Sequence, residues 1–106
     1  MPNAKLVIKD RFEFQDGGIV EIRIWEVPVS EDKPHGYKYS FVYIVNNKRV
    51  IGYDNAEGQG DHRHDGDKVD AYEFEGIDKL INDFYNDIRR IREDENKKGK
   101  NRDKKP

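Results

Sequence analysis

The chain has 106 residues, of which 40% are charged and 34% hydrophobic, with a formal net charge of −2. This length supports one small domain with a modest core. The absence of cysteine excludes disulfides and thiolate metal sites. No apolar run approaches the roughly 20 residues of a membrane span. The first residues, Met1 to Lys5, do not begin the apolar region of a secretory signal peptide. We therefore expect a cytoplasmic protein with no membrane contact.

Acidic residues are concentrated in one stretch of the chain. Residues 53–76 contain eight Asp or Glu against two Lys or Arg, whereas residues 1–52 and 77–92 each have a net charge of +1. Two of the three histidines lie in the acidic stretch. Because carboxylates repel a nucleic-acid backbone, a nucleic-acid site there needs positive charge from elsewhere.

The first half of the chain predicts a β-meander. Four segments show the alternation or the β-branched content of strands: residues 5–14, 19–27, 37–45 and 49–53. Gly17-Gly18 and Asn46-Asn47 indicate tight turns between them. In the first strand, we expect one face to be shared by Leu6, Ile8, Phe12 and Phe14.

Several aromatic residues could either pack or bind a ligand. An aromatic stripe can stack nucleic-acid bases, but core packing is favoured for Tyr37, Tyr39, Phe41 and Tyr43. Trp25 is likewise expected to be a packing residue. His35, in the loop 28–36, is expected to be exposed.

The second half contains one strong helical pattern. Apolar residues recur at helical spacing from Ile77 to Ile91. Residues 54–67 are too polar for a core element, and residues 68–74 predict a fifth strand. The fold class is therefore α+β: an antiparallel β-meander of four to five strands with one long C-terminal helix packed on it. We assign residues 1–92 to this single domain and expect residues 93–106 to form a charged, disordered tail.

The segment most suited to chemistry is Gly52-Tyr53-Asp54-Asn55 together with Asp61-His62-Arg63-His64. Cleavage of RNA next to a 2′-hydroxyl needs a base, an acid and a cation for the phosphate. His62 and His64 are candidates for the acid and base, and Arg63 for the phosphate anchor. Asp54 would orient a histidine, and Tyr53 is an additional donor. This hypothesis requires no cofactor.

Two other interpretations of this segment stay open. Asp54, Asp61, His62 and His64 offer nitrogen and oxygen ligands for a divalent metal such as zinc, manganese or magnesium. The alternative without chemistry is a solvated loop. The density of glycines beside the His-Arg-His run favours a functional site.

The run from Val50 to Ala56, the run from Gly58 to His64, Tyr72-Glu73-Phe74 and the start of the helix at 77–84 together resemble the TumE-like toxins. These are small prokaryotic proteins of toxin–antitoxin operons, and the resemblance covers about residues 20–90. It implies a type II toxin whose partner is an antitoxin, usually a helix-turn-helix protein. The site residues that it implies are Tyr53, Asp54, Asn55, His62, Arg63 and His64.

The leading functional hypothesis is a toxin that acts on RNA as a small ribonuclease. The alternative is a non-enzymatic protein-binding module of an operon, which acts by docking to a partner through its acidic face. A homodimer is a further alternative for the partner of the chain.

Overall fold

The computed structural model describes residues 4–56 and 58–103, with side chains described as far as Glu95. It contains six strands and one helix: β1 Lys5–Glu13, β2 Ile19–Glu26, β3 Tyr37–Val45, β4 Lys48–Asp54, β5 His62–Asp65, β6 Lys68–Ala71 and α1 Ile77–Asp103. All neighbouring strands are antiparallel, and their order in the sheet follows the chain from β1 to β6. The predicted α+β meander with one helix is confirmed, with six strands instead of four to five.

The additional strand is β5, which lies inside the segment expected to be a polar loop. Its sequence, His-Arg-His-Asp, has no apolar residue, so no alternation predicted it. It pairs with β4 from Ile51↔Asp65 to Asp54↔His62. The predicted fifth strand ends earlier than expected, at Ala71 instead of Phe74.

The core lies between one face of the sheet and α1. Buried residues come from alternate positions of β2, β3 and β4 and from every fourth position of α1: Val20, Ile22, Ile24, Tyr39, Phe41, Tyr43, Ile51, Tyr53, Leu80, Phe84 and Ile88. Tyr39, Phe41 and Tyr43 thus pack in the core, as expected. The turn prediction is also confirmed, since Asn46 and Asn47 both have positive φ, at 53° and 66°, as a type I′ turn requires.

Strand β1 departs from its predicted pattern. A bulge between Leu6 and Ile8 shifts the register, so that Leu6 pairs with Trp25 while Ile8 pairs with Ile24. A bulge adds one residue to a strand and so moves the residues after it to the other face. The expectation that Leu6 shares a face with Ile8 is therefore wrong. As the edge strand, β1 leaves Leu6 and Phe12 more than half exposed.

Helix α1 continues to Asp103, past Ile91, where its apolar stripe ends. A helical extension without an apolar face gains little from packing. The domain boundary at residue 92 and the disordered tail over 93–106 stay predictions, and residues 104–106 lie outside the described chain. Over the described residues, no helix has both the length and the apolar character needed to cross a bilayer.

Candidate functional site

Strands β4 and β5 send alternate side chains to opposite faces of the sheet. Tyr53 and Arg63, which are paired across the two strands, point towards α1. Asp54, His62 and His64 point to the other face, which α1 does not cover and which we call the open face. The structure therefore brings three of the five predicted catalytic residues together, and the sheet separates them from the other two.

The imidazole of His64 is held between two charged side chains. Its Nε2 lies 2.9 Å from Oδ2 of Asp54, and its Nδ1 lies 3.2 Å from Nη2 of Arg49. Because a guanidinium can only donate, Nδ1 accepts, and the proton of the neutral ring is on Nε2, which donates it to Asp54. The contacts thus select one tautomer, with the basic nitrogen directed to the exposed arginine.

Arg49 reaches His64 across the backbone of Gly52. Gly52 pairs with His64 in the ladder, and a Cβ at this position would lie 2.9 Å from Cδ of Arg49. A side chain here would therefore displace the arginine. Arg49 was not among the predicted site residues. The only signal in the sequence was the glycine itself, since a glycine inside a strand often indicates the close approach of another group.

His62 is the second histidine of the open face. Its ring centroid lies 6.4 Å from that of His64. Its Nδ1 is buried and has no hydrogen-bond partner among the described residues. A buried polar atom without a partner costs stability. Such atoms call for an explanation other than packing, and retention for chemistry is one.

Arg63 connects β5 to the helix. Its Nε and Nη2 donate to the two carboxylate oxygens of Asp87 at 2.9 and 2.8 Å, and Nε also donates to the hydroxyl of Tyr53 at 3.1 Å. The hydrogen bonds to Asp87 raise the pKa of Arg63 further above its ordinary value. Burial, followed by the hydrogen bond to Asp87, raises the pKa of Tyr53 well above its ordinary value. Both groups therefore stay protonated and act as fixed donors to the helix.

Asn55, which the family resemblance included among the site residues, holds the backbone of β3. Its side chain is fully buried, with Oδ1 accepting from the amide of Tyr39 at 3.0 Å and Nδ2 donating to the carbonyl of Tyr37 at 2.8 Å. The amide thus continues the β3–β4 ladder past the end of β4. This is a structural role, since both polar groups of the amide are bound to the β3 backbone.

Asp61 lies on the helix side of the sheet, in a cluster with His35. Its Oδ2 accepts from the hydroxyl of Tyr39 at 2.7 Å and lies 2.9 Å from Nε2 of His35. The His35 ring packs on Phe74, with centroids 3.9 Å apart. The expectation that His35 is exposed is therefore wrong, because Asp61 and Phe74 hold it partly buried.

The four predicted metal ligands do not converge. Asp54, His62 and His64 share the open face, whereas Asp61 is bound on the opposite side of the sheet. Within the part of the chain that the structure describes, no group of three or more His, Cys, Asp or Glu side chains is placed to hold a metal ion.

A cavity opens beside His64 and Asp54. Its volume is about 390 Å³, and its lining includes Trp25, Lys38 and Ser40. Small-molecule sites are roughly 300–1,000 Å³ in volume, so this cavity lies at the lower end of that range. Trp25 was expected to be a packing residue. Its place on the open face, half-buried at the cavity wall, corrects that expectation.

The open face is more cationic than the sequence around the histidines suggests. The strand registers place a cationic side chain from each of the first four strands on this face: Lys9 of β1, Arg23 of β2, Lys38 of β3 and Arg49 of β4. Of the acidic residues in 53–76, Asp54 lies on the open face, whereas Asp61 and Asp65 lie on the helix side. Asp65, for example, lies 3.5 Å from Nη2 of Arg63 and 3.4 Å from Nη2 of Arg90.

Comparison with known proteins gives one family. The family model described as Toxin TumE matches residues 1–92. Searches of curated proteins and of solved structures found no significant match.

Proposed function

Because the chain belongs to the TumE toxin family, we propose that it is the toxin of a type II toxin–antitoxin pair and cleaves RNA on the open face. The observation on which this proposal depends is the contact of His64 with Asp54 at 2.9 Å. A carboxylate that accepts one imidazole proton leaves the other ring nitrogen as a base and stabilises the imidazolium that forms. The cavity beside this pair gives the substrate access.

The proposed reaction is an internal transfer at phosphorus. Nδ1 of His64 takes the proton of a ribose 2′-hydroxyl, and the 2′-oxygen forms a bond to the neighbouring phosphorus. The bond from phosphorus to the 5′-oxygen breaks, and His62, acting as the general acid, gives a proton to that oxygen. The products are a 2′,3′-cyclic phosphate and a 5′-hydroxyl, with no net uptake of protons or water. The two ring centroids lie 6.4 Å apart on the same face of the sheet.

Arg49 is the phosphate anchor in this proposal. In the protein without RNA its guanidinium donates to Nδ1 of His64. A phosphate is a stronger, charge-assisted acceptor, so RNA draws Arg49 away and exposes the base. Arg63, the anchor expected from sequence, is bound to Asp87 and serves the fold.

The cationic open face supports an RNA substrate. An acidic active-site segment repels phosphates unless other residues neutralise it. Asp61 and Asp65 are paired on the helix side, while Arg23 and Arg49 lie on the same face as the histidines. The positive charge that the site needs thus comes from β1 to β4.

The partner in this proposal is a cognate antitoxin, a helix-turn-helix protein encoded beside the toxin, and the place of action is the cytoplasm. A second candidate function is a docking module without enzymatic activity. The observation that favours it is the unpaired edge β1, where Leu6, Val7 and Phe12 are each more than half exposed. Exposed apolar side chains on an unpaired edge suit association with a partner or with a second copy.

Expression without an antitoxin tests the proposed function. We expect the wild-type chain to arrest growth and the double variant His62→Ala plus His64→Ala to be harmless. The matched control changes two exposed residues at the β5–β6 turn and the start of β6, Asp67→Ala plus Lys68→Ala, and should stay toxic. A folded double histidine variant that still arrests growth would overturn the catalytic proposal and favour docking. RNA cleavage by the purified protein in the presence of a metal chelator would support the histidine mechanism over the metal alternative.

A further inference from the structure

Trp25 lies between two cavities of the open face. One is the 390 Å³ cavity that contains His64, and the other, of about 280 Å³, is lined by Leu6, Lys9, Arg23 and Trp25. Trp25 pairs with Lys38 on one side and with Leu6 on the other. The side chain of Trp25 therefore lies between the His64–Asp54 pair on one side and the cations Lys9 and Arg23 on the other.

Packing against the helix does not account for this position. The core of the protein lies on the other face, and Trp25 is not among its buried residues. On the open face the half-buried indole lines one cavity with Lys38 and another with Arg23 and Lys9. A partly accessible aromatic ring among cations matches the two requirements of a single-stranded nucleic acid, a surface on which bases stack and charges along the backbone.

A row of paired residues leads from the edge of the sheet to the histidines. Cross-strand pairing connects Lys9 to Arg23, Arg23 to Ser40, Ser40 to Asp54 and Asp54 to His62. Adjacent strands are about 4.8 Å apart, so the row spans about 19 Å, a length of several nucleotides. Its cations are at the β1 end and its acid–base groups at the β5 end.

We propose that the open face binds single-stranded RNA across its strands, with one base stacked on Trp25 and the flanking phosphates on Lys9 and Arg23. This inference rests on the proposed function, because it positions the nucleotide next to the phosphate that His64 and His62 act on. It favours single strands over duplexes, because only unpaired bases can be splayed onto a side chain.

Intrinsic fluorescence tests this inference directly, since Trp25 is the sole tryptophan of the chain. The full-length protein is titrated with a 2′-O-methyl oligoribonucleotide, which lacks the free 2′-hydroxyl that the proposed reaction needs. We expect saturable quenching that weakens as salt rises, with a slope that falls by about one for each of Lys9→Ala and Arg23→Ala. Arg89→Ala, on the solvent side of α1, is the matched control and should bind as the wild type does.

Binding of a labelled oligonucleotide, followed by anisotropy, then measures the stacking contribution. Trp25→Ala should weaken binding roughly 5- to 150-fold, the range for one stacked base, and Trp25→Phe should weaken it less. Unchanged binding by a folded Trp25→Ala variant, or the absence of quenching, would overturn the inference. Loss of cleavage in His64→Ala would then leave the proposed function standing. Conversely, normal quenching with undiminished cleavage by His64→Ala would overturn the proposed chemistry and leave the RNA surface.

Discussion

Nε2 of His64 lies 2.9 Å from Oδ2 of Asp54 on the open face, while its chain neighbour Arg63 binds Asp87 on the other side of the sheet. The alternation of a β-strand imposes this division. Adjacent residues of β5 therefore have different effects when they are changed. Changes at His64 should alter chemistry, and changes at Arg63 should alter stability.

Gly52→Ala should lower RNA cleavage without unfolding the protein. The added Cβ would meet Cδ of Arg49 at 2.9 Å, and a flexible side chain can move away. The arginine would then lose its place beside Nδ1 of His64. The measurement is the cleavage rate of Gly52→Ala, of Arg49→Ala and of the double variant. Because both changes act through one guanidinium, the double variant should be no worse than Arg49→Ala; additive losses would contradict this.

Arg63→Ala should destabilise the fold by roughly 1.5–3 kcal/mol, as expected for hydrogen bonds to a charged group. It removes both hydrogen bonds to Asp87, whose side chain is largely buried. Arg90→Ala is the matched control, since Arg90 approaches the same carboxylate at 3.7 Å from an exposed position, where ion pairs contribute roughly 0–1 kcal/mol. Urea denaturation measures both. Equal losses would show that Arg63 has no special role in joining β5 to α1.

His62→Leu should abolish cleavage and leave stability unchanged or slightly higher. The buried Nδ1 of His62 has no described partner, so an apolar side chain removes an unsatisfied group. His64→Leu is the comparison and should be less stable than the wild type, because it leaves Asp54 without its contact. Thermal unfolding of the two variants gives the answer. A large loss of stability in His62→Leu would indicate a packing role.

Stability should fall as the pH rises past about 10. Burial, with hydrogen bonds to Asp87 and Asp83 respectively, raises the pKa of Tyr53 and of Tyr72 above the ordinary value of 10.0. The unfolded chain therefore loses these protons first, and the free energy of unfolding decreases with pH above that value. Below pH 10 both states are protonated, and these two groups add no pH dependence.

The alkaline effect can be assigned with Tyr53→Phe plus Tyr72→Phe. This double variant removes both hydroxyls and should lose less stability between pH 9 and 11 than the wild type. Urea denaturation at each pH provides the values. Parallel curves for the two proteins would contradict the assignment.

The sequence predicts β1 to β4 and the helix because apolar periodicity produces them. Ile77 to Ile91 repeat at helical spacing, and Tyr39, Phe41 and Tyr43 alternate. Strand β5 has no such signal. Its four polar residues are held by the backbone ladder to β4 and by side-chain contacts such as Arg63 to Asp87, none of which a local pattern contains.

The candidate site likewise has one part that the local sequence predicts and one part that depends on long-range strand pairing. Asp54, His62 and His64 were identifiable from residue type and spacing. Their separation from Tyr53 and Arg63 depends on which strand pairs with β4 and in which register. Trp25 and Lys38 join the site only because β2 and β3 are adjacent in the sheet, a long-range relationship that composition does not reveal.

The most direct test is the cleavage of an unstructured oligoribonucleotide by the purified wild-type protein, His64→Ala, Asp54→Asn and Arg63→Ala, compared at equal folded fraction. We predict 2′,3′-cyclic phosphate ends from the wild type and a rate roughly 10²- to 10⁴-fold lower for His64→Ala, the usual range for loss of a general base. Asp54→Asn should lie between these two rates, and Arg63→Ala should match the wild type. Undiminished cleavage by His64→Ala, or a loss confined to Arg63→Ala, would contradict an active site on the open face.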